Sequence, residues 1–309
     1  MKRITGTFLD EITWDIPSQN WGREEWRREF DTMKEAGIDT VIIIRAGLRD
    51  LCVYPSEVLS ARDLPDLALW FLDEAERCGM KLYFGSYDPG DLDWQWSNWP
   101  QSWPVMERML VEIQSRYGGH PAFQGWYIAP ETCVATPGTI ELFRRTSEGM
   151  KELSSDRPVL ISPYYPSHLY LEETREERHR RFVEDWRRIF SATPAVDICA
   201  FQDGSCSFRR EAYPTLELED YVREVHQLCR EHRITMWNNV ETFGRQFPIK
   251  FPPIDWRWLK RKMEIADPYA EKHITFEFSH FLSPNSMYPS ARMLFERYCE
   301  EIIGEGAGG

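Results

Sequence analysis

Eight short β-rich runs alternate with eight longer helical runs along this chain, and no Gly/Ser-rich linker interrupts them. The strand-type runs are residues 4–9, 40–45, 81–86, 123–129, 158–162, 196–202, 234–240 and 273–279. The helical runs are 24–36, 63–78, 104–117, 136–153, 174–190, 216–232, 255–266 and 290–303. Ala36-Gly37 and Cys78-Gly79 end two helices where glycine accepts the left-handed cap. Pro104 suits a first helical turn. Eight strand–helix units are the number that closes a parallel sheet on itself. The expected fold is therefore α/β, a single (β/α)8 TIM barrel with long βα loops over residues 1–303. Residues 304–309, mostly glycine, read as a disordered tail. An open doubly wound sheet is the alternative, but no GxGxxG or GxxxxGK[ST] follows any strand run.

Composition narrows the partners. The 309 residues carry a net charge of -13, which repels nucleic acid and anionic membrane surfaces. No stretch approaches the ~20 apolar residues that span a bilayer. Basic residues at the start are followed by Asp10 and Glu11 rather than an apolar segment, unlike a secretory signal. Seven cysteines without a CxxC pair suit the thiols of a reduced cytoplasm. Scattered histidines give no metal-type helix pair, so neither metal nor cofactor is expected. The oligomeric state is open.

In a barrel of this kind catalysis belongs at the C-terminal ends of the strands. Side chains alternate along a strand. In the fourth run Gly125, Tyr127, Ala129 and Glu131 share one face, while Trp126 and Ile128 share the other. In the seventh, Thr235, Trp237, Asn239 and Glu241 face inward, while Ile234, Met236 and Val240 face the helices. Both runs thus end in an inward glutamate. Two carboxyls across a barrel mouth are what glycosidic cleavage requires. One is protonated to serve the leaving oxygen, and the other is ionised to attack the anomeric carbon or activate water.

With Glu131 and Glu241 ending strands four and seven, the chain resembles the clan A retaining glycoside hydrolases. Their 110-residue separation fits three βα units. More specifically, it resembles a bacterial domain-of-unknown-function family of glycoside-hydrolase-type barrels. The matching stretches are Gly6-Thr7-Phe8-Leu9, Asn20-Trp21, Gly37-Ile38-Asp39-Thr40-Val41, Gly125-Trp126-Tyr127-Ile128, Gln202-Asp203-Gly204, Trp237-Asn238-Asn239-Val240-Glu241-Thr242-Phe243 and Ser283-Pro284. The resemblance implies Glu131 as acid/base and Glu241 as nucleophile. Pro130 stands where clan A usually has the Asn that contacts the sugar 2-hydroxyl, so that contact is unassigned.

Other strand ends supply candidate substrate-binding residues, each with a plainer structural alternative. Asn239 shares a face with Glu241 and either orients it, binds a hydroxyl or is an interior amide. Glu277 is expected inside the barrel, with Thr275 and Ser279, and Ile274, Phe276 and Phe278 outside. There it binds substrate, tunes a catalytic carboxyl or forms an ion pair with Arg45, which ends strand two. Asp10 closes strand one. Gln202 and Asp203 close strand six, and Asp203 is the substitute carboxylate or part of a tight turn. Tyr164 after strand five is a candidate helper of the nucleophile, and His280 follows strand eight. The loop after strand three holds Trp94, Trp96, Trp99 and Trp103 among acids and amides, where no regular helix is expected. Indoles there, with Trp14 and Trp21, either stack on sugar rings or pack the loops down. The charge run 172–181 reads as a solvated helix face.

The expected function is a retaining glycoside hydrolase acting on a small carbohydrate, with Glu241 attacking and Glu131 donating. A carbohydrate-binding barrel without turnover is the alternative, and a sugar isomerase or lyase ranks below it. Sugar, linkage, anomer and exo or endo action stay open.

Overall fold

The computed structural model describes residues 1–13, 18, 20–61, 65–90, 97–164, 172–204, 215–244 and 252–304. Eight parallel strands close a barrel: β1 Ile4–Leu9, β2 Thr40–Ile43, β3 Lys81–Gly85, β4 Phe123–Tyr127, β5 Val159–Ile161, β6 Ile198–Gln202, β7 Thr235–Glu241 and β8 Lys272–Phe276. Each strand hydrogen-bonds its sequence neighbours, and β1 pairs with β8 to complete the ring. Helices α1 Arg23–Ala36, α2 Leu67–Cys78, α3 Trp99–Tyr117, α4 Pro137–Leu153, α5 Arg175–Ala192, α6 Thr215–His232, α7 Trp256–Ala266 and α8 Pro289–Tyr298 follow the strands in turn. A small sheet of Gly47–Leu48, Leu51–Cys52 and Tyr87–Asp88 joins the loops after β2 and β3.

Two apolar layers result from the strand alternation. Phe8, Ile42, Tyr127, Leu160, Ala200 and Ile274 fill the barrel interior. Val41, Leu82, Trp126, Phe201, Met236 and Val240 face the helices. A helix presents its apolar stripe to that outer layer, as α1 does with Trp26, Phe30 and Met33. Gly37 and Gly79 take the expected left-handed caps, at φ 91° and 73°. Asp66, Thr136 and Asp255 accept first-turn N–H groups at the other ends of their helices.

The structure corrects two local expectations. Helix α3 begins at Trp99, so Pro100 holds the first turn and Pro104 lies within the helix. Trp99 and Trp103 therefore sit on a helix, edge to face at 5.9 Å, and pack on the outer core. The last helical run is divided, with π-helical turn Cys299–Ile303 following α8. The charge run 172–181 has no buried residue, as expected of a solvated face, and Arg175 and Arg178 also reach across to Asp220 and Glu217 of α6. Among the described residues no helix is long and apolar enough to cross a membrane.

Candidate active site

Glu131 follows β4 on the inward face, as the alternation requires. The hydroxyl of Tyr127, four residues earlier in the chain, donates to its Oε1 at 3.0 Å. Burial pushes the Glu131 carboxyl above the ordinary carboxylate value, while the Arg45 guanidinium, the Gln202 amide and the Tyr127 phenol pull the other way. Tyr127 stays a phenol, because burial and the neighbouring carboxylate both oppose its ionisation.

Arg45 is fixed from the β2 side. Its Nε donates to Asp88 Oδ2 at 3.0 Å, and Nη1 donates to Thr13 Oγ1 at 3.3 Å. Burial opposes its charge, but the carboxylates of Glu131, Asp10 and Asp88 outweigh that cost and keep it protonated. Asp10 is itself occupied by its own loop, accepting from the Thr13 amide at 3.1 Å and from the Thr13 hydroxyl. Arg45 thus belongs with Glu131 and Asp88, and not with Glu277 as expected.

Glu241 ends β7, is 2% exposed, and also faces inward. Gln202 ends β6 in register with Asn239, two residues before Glu241. The same Gln202 amide contacts the Glu131 carboxyl and donates to the Ser162 carbonyl at 2.8 Å. Asn239 Nδ2 donates to Ser162 Oγ at 3.1 Å, which in turn donates to the Ala200 carbonyl. Strand ends β4 to β7 are thereby tied together, with Glu131 following β4 and Glu241 ending β7. Asn239 Oδ1 is buried with no hydrogen-bond partner among the described residues.

Asp203, Trp237 and Tyr164 sit elsewhere. Asp203 is fully buried one residue past β6, which turns it away from the interior. Its Oδ1 meets Lys262 Nζ of α7 at 2.9 Å, so it is no substitute acid at the mouth. Trp237 lies deep in the barrel, edge to face with Tyr83 at 6.0 Å and 5.1 Å beneath the Lys272 ammonium. Four residues of strand, about 13 Å, separate it from Glu241. Tyr164 is hydrogen-bonded to the buried Cys133 thiol, whose pKa burial raises to about 12. The alternation in β8 is opposite to expectation. Ile274 and Phe276 pair in register with Asn239 and Glu241, and residues paired in register in a parallel sheet share a face, so both point inward. Thr275 turns outward to the Val240 carbonyl.

Glu277 follows a cis peptide bond after Phe276 and is fully buried. Burial, with Asp10 and Glu11 nearby, drives its carboxyl well above the ordinary value. His280, 1% exposed, lies 3.3 Å from Glu277 Oε1 and 3.2 Å from Ser18 Oγ. Both residues are sealed from solvent beside Asp10 and Glu11, at the ends of β1 and β8. Trp94, Trp96 and Trp14 lie outside the described residues. Trp21 packs edge to face on Trp26 at 5.1 Å.

Sequence reasoning missed Ser162, Asp88, Phe276 and Lys262. Phe276 places a half-buried aromatic ring beside Glu241. Lys262 carried a readable signal. It occupies the apolar stripe of α7 with Leu259, Met263 and Ala266, where a lysine needs a buried partner. Among the described residues no group of three or more His, Cys, Asp or Glu could hold a metal ion.

Comparison with known proteins agrees with this architecture. A "putative alpha-L-fucosidase" from Bacteroides thetaiotaomicron VPI-5482 is 38% identical, with a TM-score of 0.85 over 97% of this chain and 92% of that one. A Rhizomucor miehei endo-1,4-beta-mannanase shares the fold at 14% identity and TM-score 0.58, covering 96% and 95% of the two chains. A beta-D-glucuronidase from Dictyoglomus thermophilum does so at 15% identity and TM-score 0.59, over 97% of this chain and 51% of its own. A search of curated proteins gave no match. A family profile described as a domain of unknown function, DUF4434, matches residues 4–288, and with that extent the chain, a glycoside-hydrolase-type barrel, belongs to the DUF4434 family.

Proposed function

We propose that this protein is a retaining glycoside hydrolase acting on a small glycoside or oligosaccharide. The observation that carries the reading is the pair of glutamates following β4 and ending β7, linked through Gln202 and its register partner Asn239, with Glu131 held by burial toward its protonated form. Glu131 donates its proton to the departing glycosidic oxygen while the Glu241 carboxylate bonds to the anomeric carbon. Water then attacks that carbon, Glu131 takes the water proton, and Glu241 leaves as a carboxylate. No cofactor is needed.

Tyr127 and Arg45 orient Glu131 through the first step and stabilise it as a carboxylate afterwards. The unfilled acceptor on Asn239 and the Gln202 amide are suited to sugar hydroxyls, and Phe276 to an apolar ring face. Asp10 contributes through Arg45. The 38% identical relative, named for alpha-L-fucose, supports including that sugar among the substrates tried. The six cysteines described are all free thiols, which supports a cytoplasmic place.

A panel of aryl glycosides, alpha-L-fucoside among them, tests the reading on wild type and Glu241→Gln. Turnover of at least one sugar by wild type, lost in the variant, is expected. Saturable sugar binding without turnover in both would replace the hydrolase with a binding barrel.

A further inference from the structure

We infer that Lys262 and Asp203 position the nucleophile by holding both peptide groups of Glu241. This rests on the proposed role of Glu241. In a parallel sheet the N–H and C=O of one residue point to the same neighbouring strand. For Glu241 that neighbour is β6, but the β6–β7 ladder ends at the pair Gln202–Asn239. The Asp203 N–H still reaches the Asn239 carbonyl at 3.2 Å. Beyond that point side chains replace the ladder. Asp203 Oδ1 accepts the Glu241 N–H at 3.3 Å, and the Glu241 carbonyl accepts from Lys262 Nζ at 2.7 Å.

Lys262 and Asp203 also pair with one another, at 2.9 Å, and both are sealed from solvent. On the other side of β7, the Thr242 N–H bonds the Phe276 carbonyl at 3.0 Å, so β8 holds the residue after the nucleophile. The two sides together set the rotation of the strand end. Rotation of an unsupported end would swing the Glu241 carboxylate off the attack line, since successive side chains point to opposite faces.

Attack requires the carboxylate within about 3–3.5 Å of the anomeric carbon, and a misplacement of about 1 Å costs roughly 10²-fold. Lys262→Met should therefore lower kcat by roughly 10²-fold on a 2,4-dinitrophenyl glycoside while KM changes less than about threefold. The double variant Lys262→Met/Asp203→Leu leaves no orphaned charge, so it separates lost positioning from lost folding, with a melting curve recorded for each.

The discriminating measurement repeats these substitutions in Glu241→Ala rescued by azide. Azide replaces the nucleophile, so the clamp has nothing left to position, and its removal should then cost less than about threefold. Equal losses in both backgrounds would make the pair a structural element only. Full kcat in a folded double variant would also overturn the inference. Glu241→Ala is measured first, without azide. Undiminished turnover there refutes the nucleophile assignment itself, whereas a collapse with an unaffected Lys262→Met refutes the clamp alone.

Discussion

Glu29 offers a stability test that needs no substrate. It lies on the buried face of α1, 0% exposed, and its Oε2 accepts from Ser283 Oγ at 2.7 Å and Asn285 Nδ2 at 2.8 Å. Burial raises its pKa from 4.5 to about 7, against the pull of those two donors and Ser279. The folded chain therefore keeps a proton between pH 4.5 and about 7 that the unfolded chain has released. Stability from this group is complete below pH 4.5 and is lost as pH rises to about 7. At 1.36 kcal/mol per pK the whole effect is about 3 kcal/mol, most of which falls between pH 5 and 8. Glu29→Gln cannot ionise, can accept from Ser283 and Asn285, and can offer an N–H toward Ser279. Urea unfolding of both proteins from pH 5 to 8, followed by tryptophan fluorescence, reads the difference. The variant should gain on wild type by about 2–3 kcal/mol across that range, roughly 4 °C in melting temperature for a chain this long. A difference that stays flat with pH would refute the buried, protonated Glu29.

Two further outcomes bear on the proposed chemistry. Glu131→Ala should lose roughly 10²–10⁴-fold on alkyl glycosides but spare glycosylation by dinitrophenyl glycosides, and azide should rescue the second step with retention, as product NMR will show. Tyr127→Phe removes a donor to the carboxylate, which raises the Glu131 pKa and moves the alkaline limb of kcat/KM to higher pH; an unmoved limb would deny Glu131 the acid role. Trp237→Ala should cost about 3–5 kcal/mol of stability, and once folded should leave KM near wild type, since the indole lies below the site.

The barrel was legible because the eightfold alternation of periods survives every loop. Counting alternate residues put Tyr127, Asn239 and Glu241 on the same face of their strands as the interior residues Ala129 and Trp237, and that is the face the structure gives them. In β8 the same count failed. Ile274 and Phe276 read as outward because they are apolar, yet the lower interior of the barrel is apolar too, and only pairing with β7 sets their face. The tryptophan-rich loop failed for a related reason. Its acids, amides and prolines hid a helical stripe on which Trp99 and Trp103 are four residues apart, and burial of those rings outweighed weak local propensity. Asp203 and Lys262 were out of reach as a pair, because they come from different units and meet only once the barrel closes.

The plug formed by Tyr83, Trp237 and the Lys272 stem gives the barrel a floor. A vessel with a floor has one door. In the proposed reaction, sugar, water and leaving group therefore meet Glu131 and Glu241 from the C-terminal ends of the strands. A sugar seated in that door separates Glu131 from bulk solvent until it departs. The water that completes the cycle then attacks from the side the leaving group has just vacated, where Glu131 stands to take its proton.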